Sequence, residues 1–131
     1  MEVLLDASAI MAVIADEPEA QIVINCTKDT IIVSPSIISC EVSNALTRMM
    51  KKNIITTKDQ MFNLIKYFKK IPIKTIEIDL EKALEIAWEY KIYAYDAFYL
   101  EIANRLKLPL ITFDNGMKKI GNELGISILG G

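Results

Sequence analysis

The chain predicts an α/β fold: a mostly parallel five-stranded sheet flanked by helices on both faces. Two observations carry this. Short apolar runs of strand length alternate with longer stretches whose apolar residues recur at helical spacing. Caps and breakers stand at the boundaries between them, so each run has a definite beginning and end. There is no internal repeat, linker or low-complexity tract among the 131 residues, which predicts one domain over 1–131.

Residues 2–5 form the first apolar run and end on Asp6. Residues 8–15 follow as a helix, with Ile10, Met11 and Ile14 on one face. Pro18 suits the first turn of a second helix through Ile22, Val23 and Cys26. Residues 30–33 read as a second, buried strand. Ser36 is placed to cap a long helix to about Lys52, whose core stripe is Ile38, Val42, Ala45, Leu46 and Met49. Glu41 lies at the edge of that stripe, one turn from Asn44 and two from Arg48. Thr57 to Gln60 is a capping box, and the helix it opens is stopped by Pro72. Residues 75–78 form a third strand, after which Asp79 caps a helix with Ala83, Leu84, Ala87 and Trp88 inward.

The most informative stretch is 93–114, YAYDAFYLEIANRLKLPLITFD. On a helical wheel Glu101, Asn104 and Arg105 share a polar stripe, while Ala97, Tyr99, Leu100, Ala103 and Leu106 cover most of the rest. Asp96 opens this helix and projects to the buried side, roughly opposite Arg105. A carboxylate there needs a cation, a donor or a metal. Residues 110–113 then read as a strand delivering Asp114 at its carboxyl end. A last helix over 115–124 stops at Gly125, and 126–129 is the fifth strand.

Composition narrows the chemistry. Hydrophobic content of 52% marks a core-rich globule. No uncharged run approaches the roughly 18 residues of a membrane span, and the first residues lack the basic start of a signal peptide. Two cysteines, Cys26 and Cys40, make no disulfide framework, so a cytoplasmic chain with reduced thiols is expected. The absence of histidine removes the commonest general base and every histidine-ligated zinc site. A metal here is held by oxygens, which favours Mg²⁺ or Mn²⁺. Net charge is −2, but residues 48–74 hold eight basic residues against Asp59 alone. That asymmetry suits a polyanion-facing side, or equally a solvated helical face.

Taken singly, the acids have ordinary explanations: Asp6, Asp96 and Asp114 stand where helices begin, and Asp caps helices well. Glu41 suits a solvated helical surface. Together they read differently, because a parallel sheet brings the carboxyl ends of its strands, and the helix starts that follow, to one edge. Carboxylates gathered there repel one another unless a cation neutralises them, and a hard divalent ion does so with these ligands.

Asp96-Ala97-Phe98-Tyr99-Leu100, with Leu110 to Asp114 downstream, resembles the PIN-domain family, most closely its VapC-like toxins. Asp6 at the end of Val3-Leu4-Leu5, and Glu41 in Ile38-Ser39-Cys40-Glu41-Val42-Ser43-Asn44, complete the family's pattern in order. The resemblance spans the whole chain. It implies Mg²⁺- or Mn²⁺-dependent endonucleolytic cleavage of RNA, leaving a 5′-phosphate and a 3′-hydroxyl. Asp6, Glu41, Asp96 and Asp114 are by that match the catalytic and metal-binding quartet. Asp6 and Asp96 are its direct or water-mediated ligands, while the fourth acid varies in position within the family. Ser8 and Thr112 match hydroxyl positions that hydrogen-bond the quartet, with hydrogen bonds to the backbone as the ordinary alternative. Asn44 matches a polar position lining the groove. Arg48, along the same helix edge, suits a phosphate, though an exposed arginine is the plainer reading. Trp88, Tyr95 and Tyr99 read as core. A homodimer and a cognate antitoxin are also implied, with the helices around residues 10–26 and 37–50 as candidate surfaces.

Three alternatives stand beside this one. A receiver domain is also doubly wound and acidic, but needs paired acids after strand one and a lysine after strand five; Asp6-Ala7-Ser8 and Ile128-Leu129-Gly130-Gly131 supply neither. A non-catalytic PIN-fold binding protein would not need all four acids. A housekeeping RNA-processing nuclease without an antitoxin differs from the toxin only in its partners.

Overall fold

The computed structural model describes residues 1–130. Five strands, β1 (Glu2–Leu5), β2 (Ile31–Pro35), β3 (Ile73–Ile76), β4 (Leu110–Ile111) and β5 (Ile128–Leu129), form one sheet in the order β3-β2-β1-β4-β5. All its pairings are parallel. Among the described residues seven helices connect the strands: α1 (Ala7–Ile14), α2 (Ala20–Thr27), α3 (Ile38–Lys51), α4 (Lys58–Lys70), α5 (Leu80–Tyr90), α6 (Ala94–Leu106) and α7 (Asn115–Glu123). α1 packs on α2, α3 and α4, whereas α6 packs on α5 and α7. Two helical layers of this kind follow from right-handed crossovers that change direction once.

That change of direction positions everything functional. The chain winds outward from β1 to β3, then returns to place β4 on the other side of β1. The carboxyl ends of β1 and β4 therefore flank the switch point, where open α/β sheets bind ligands. The central strands hold it rigidly. Val3, Leu4, Val33, Leu110 and Ile111 are fully buried at 0% exposure, as strands covered on both faces are. Leu4 stands in register with both Val33 and Leu110.

Local chemistry sets the helix ends much as expected. The Thr57 hydroxyl accepts from the Gln60 N–H at 3.2 Å while Gln60 Oε1 accepts from the Thr57 N–H at 3.2 Å, a reciprocal capping box. Asp79 caps α5 by accepting from the Lys82 N–H. Gly125, at φ +78°, supplies the left-handed residue after α7.

Other expectations are corrected. Ser36 does not cap α3: Ile37 holds that position without a side-chain bond, and the local bond instead runs from Ser39 Oγ to the Ser36 carbonyl. β3 begins at Ile73, two residues early, because Ile32 of β2 already pairs with it. Pairing in β4 stops at Ile111, opposite Leu129, so Asp114 lies beyond the strand rather than at its last residue. Leu84 and Trp88 do not point inward but are 56% and 76% exposed, and Tyr95 is also on the surface. α5 is an outer helix whose one packed face, with Ala83 buried and Ile86, Ala87 and Tyr90 partly so, turns to α6. Glu101, on the polar stripe with Asn104 and Arg105, is itself buried, at 1% exposure. Its oxygens accept from Arg105 Nε at 2.7 Å and from the Asp79 N–H at 2.7 Å.

Candidate active site

Asp6 is the anchor. It follows β1, and its N–H donates to the Ile111 carbonyl, tying it beside β4. Its side chain is nearly buried, at 5% exposure. Oδ1 accepts from Ser8 Oγ at 2.6 Å and from the Ala9 N–H at 3.1 Å, while Oδ2 accepts from the Thr112 hydroxyl. A carboxylate has about four lone-pair positions, so these donors leave Asp6 one free, on Oδ2. Three donors thus fix the Asp6 carboxylate and leave one lone-pair position unclaimed.

Those donors are themselves anchored. Thr112 Oγ1 accepts from the Asp114 N–H at 3.1 Å, and Ser8 Oγ accepts from the Phe113 N–H at 2.9 Å. Both hydroxyls bridge the end of β1 to the segment after β4, and Thr112 is fully buried. Thr112→Val keeps the shape but removes the donor to Asp6 and strands the Asp114 N–H. A loss of about 1–3 kcal/mol in thermal unfolding is expected. A variant as stable as the parent would show that the hydroxyl does not hold the loop.

Asp114 caps α7, its Oδ1 accepting from the Met117 N–H at 3.0 Å. A side chain at Gly116 would press on that oxygen at 3.1 Å, so glycine leaves it room. Capping explains Asp6 and Asp114 but not Asp96. α6 is capped at Tyr93 with no side-chain bond, and Asp96 sits inside its first turn, half-buried. Glu41 lies likewise in the first turn of α3, half-exposed.

Electrostatics tie the four together. Burial raises the Asp6 carboxyl above its ordinary 3.8, its three hydrogen bonds oppose this, and the Asp114 charge adds to it. Burial likewise raises Glu41; the nearby Tyr99 hydroxyl opposes this, the Asp6 charge adds to it and the Arg48 charge offsets it. Asp96 is raised by burial and then by Asp114, Glu41 and Asp6, and nothing offsets them. Asp96 is within electrostatic reach of the other three, and Asp6 of both Asp114 and Glu41. Among the described residues, no three are gathered tightly enough to ligate one ion as they stand. Like charges keep apart, so binding one ion at all four acids would require Glu41 and Asp96, the less confined pair, to move in.

The pH dependence follows. For Asp6, Glu41 and Asp96 the folded pKa lies above the unfolded value, so their contribution to stability is fully present below ordinary carboxylate values and is lost as pH rises through the folded ones. Glu17, raised by burial and by Glu19, adds in the same direction. Metal-free protein should therefore melt higher at about pH 5 than at about pH 7.5. Divalent metal, which favours the charged carboxylates, should remove or reverse that difference. Melting curves with EDTA and with Mn²⁺ at the two pH values check this; equal curves would contradict it.

Of the remaining expected residues, Arg48 is exposed and lines a groove of about 360 Å³ that runs past Ser8 and Phe113, with Lys52 and the acids Glu17 and Glu19 also on its walls. Asn44 is exposed on α3, its carbonyl accepting from Thr47 Oγ1. Tyr99 is core, at 1% exposure, but its hydroxyl is not inert: it is buried without a hydrogen-bond partner. The acid three residues before it, on the same helical face, was the available signal.

A family model described as PIN domain matches residues 3–123. No curated protein sequence matches the chain significantly. Among solved structures, PAE2754 from Pyrobaculum aerophilum is 26% identical with a TM-score of 0.70, over 92% of this chain and 79% of that one. VapBC2 from Rickettsia felis, bound to a DNA fragment from its promoter, is 17% identical with a TM-score of 0.65, over 98% and 97%. Mycobacterium tuberculosis VapC20, a toxin that cleaves the sarcin-ricin loop, is 10% identical with a TM-score of 0.63, over 91% and 95%. At 17% and 10% identity the likeness is one of fold.

Proposed function

The chain belongs to the PIN-domain family, a family of nucleases, and on that premise we propose that it is a single-domain endoribonuclease using Mg²⁺ or Mn²⁺ at Asp6, Glu41, Asp96 and Asp114. One observation carries the reading: the charge of Asp96, in the first turn of α6, lies within reach of three other carboxylates, and no cation among the described residues offsets it. The donor set fits a hard divalent ion, being all carboxylate oxygen with no histidine in the chain. Asp6 offers its remaining Oδ2 position and Asp114 its uncapped oxygen, while Asp96 and Glu41 supply the rest. Such an ion would lower the pKa of a bound water, easing its deprotonation for attack, and would neutralise charge on the phosphoryl oxygens. The chain's own part is orientation. Ser8, Thr112 and the Ala9 N–H hold Asp6 in one rotamer, and Arg48 meets the RNA backbone from the adjoining groove. Cleavage leaves a 5′-phosphate and a 3′-hydroxyl.

The VapBC2 and VapC20 structures support a toxin role with a cognate antitoxin. Exposed apolar residues on α2 and at the end of α3, Ile22, Ile24 and Met50, suit an antitoxin or a second copy in a homodimer. No helix of the described residues is long and apolar enough to cross a membrane, and we place the protein in the cytoplasm.

The test is cleavage of a mixed RNA pool by protein freed of any co-purified partner. EDTA, Mg²⁺ and Mn²⁺ arms are run with Asp6→Asn and Asp96→Asn alongside. Cleavage that needs metal and fails in both variants is expected. Cleavage that persists in EDTA or in both variants would overturn the assignment.

A further inference from the structure

Tyr99 lies on α6, one turn after Asp96, and is among the most deeply buried large side chains in the protein. Its hydroxyl is the one buried side-chain polar atom among the described residues without a hydrogen-bond partner. Phenylalanine would fill the same space at no such cost, because burying an unpaired hydroxyl is unfavourable. The surroundings of that hydroxyl are specific. Glu41 faces it, and the charges of Asp6 and Asp96 also act on it. A phenol is uncharged near neutral pH and can donate its proton in a hydrogen bond. A neutral donor among carboxylates can orient an oxygen without competing as a cation.

The acids differ in how they are held. Asp6 has three donors and Asp114 has its cap. Glu41 extends from the other helical layer on a longer, half-exposed side chain. It has the most freedom to lose when an ion binds. We propose that Tyr99 is a positioning residue for the metal site: when an ion draws Glu41 in, the hydroxyl donates to one of its oxygens and turns the other toward the ion. The proposal rests on the metal-nuclease reading of the quartet. Partners of this kind, one shell out from a ligand, set its rotamer and so the affinity of the site.

Tyr99→Phe isolates the hydroxyl. Three quantities are compared with the parent: melting temperature in EDTA, Mn²⁺ affinity by calorimetry, and the kcat and KM of RNA cleavage. The expected result is a metal-free melting temperature unchanged or raised, since an unpaired buried group has gone. Mn²⁺ affinity should fall by about 10- to 100-fold, with kcat lowered and KM for RNA little changed. A purely structural tyrosine would leave Mn²⁺ affinity untouched, and that result in an active, metal-binding parent overturns the Tyr99 assignment alone. A parent that binds no Mn²⁺ overturns the metal site itself, and the role of Tyr99 with it.

Discussion

Asp96→Asn is expected to lower RNA cleavage by well over 100-fold while leaving the fold intact and the metal-free protein more stable. The two effects have one cause. Losing an outer partner of a metal ligand costs about 10- to 100-fold, and Asp96 is proposed as a ligand itself, so its loss should exceed that range. In metal-free protein the same carboxylate only costs stability: burial and three neighbouring acids all act against its charge. A first-turn acid gains about 0.3–1 kcal/mol from the helix dipole, a term that asparagine gives up. Three nearby charges in a half-buried setting outweigh it. Melting in EDTA and cleavage in Mn²⁺ check both halves on one preparation. Full turnover in the variant would remove Asp96 from the site, and a lowered metal-free melting temperature would show that the acids do not repel as described.

The second large effect is on stability alone. Arg105→Met should destabilise the protein by about 3 kcal/mol, the low end of the range for removing one partner of a buried ion pair. The low end applies because Arg105 itself reaches solvent, with 30% of its side chain exposed, whereas Glu101 shows 1%. Glu101 would keep only the Asp79 N–H as a partner. The Glu77 carbonyl would also lose the Arg105 guanidinium that donates to it at 2.8 Å. For a domain of this size that corresponds to a drop of about 10 °C in melting temperature. Pairing the substitution with Glu101→Met should recover much of the loss, because the stranded charge is then gone. If the double variant is no better than the single one, the cost lies in lost packing and not in the charge.

The same ion pair marks where sequence reading reaches its limit. Glu101, Asn104 and Arg105 recur at a spacing that places them on one stripe, and the wheel is right about the stripe. What it cannot carry is the partner: Glu101 is buried because the turn before α5 brings the Asp79 N–H against it, a contact across 22 residues. Leu84 and Trp88 fail in the opposite sense. Their spacing is that of core residues, but α5 has a helix on one side only, and nothing local in sequence reveals which apolar stripe is left outside. Elements governed by neighbours in the chain were legible: the Thr57–Gln60 box, the Asp79 cap and the Gly125 stop all occur as read. The approach of the acids was legible in outline for a topological reason, since parallel strands share one carboxyl edge. The bond from Thr112 to Asp6 spans 106 residues, and only its residue type hinted at it. Tyr99 was read correctly as core, yet periodicity speaks for a ring and says nothing of the hydroxyl at its tip.

The central claim is that Asp6, Glu41, Asp96 and Asp114 make one divalent-metal site. Calorimetric titration of Mn²⁺ at neutral pH into the parent, Asp6→Asn and Asp96→Asn, all stripped with EDTA beforehand, tests it most directly. The account predicts saturable binding by the parent and at least 100-fold weaker binding by each variant, beyond what loss of an outer partner would give. Undiminished binding in both variants, or none in the parent, would contradict it.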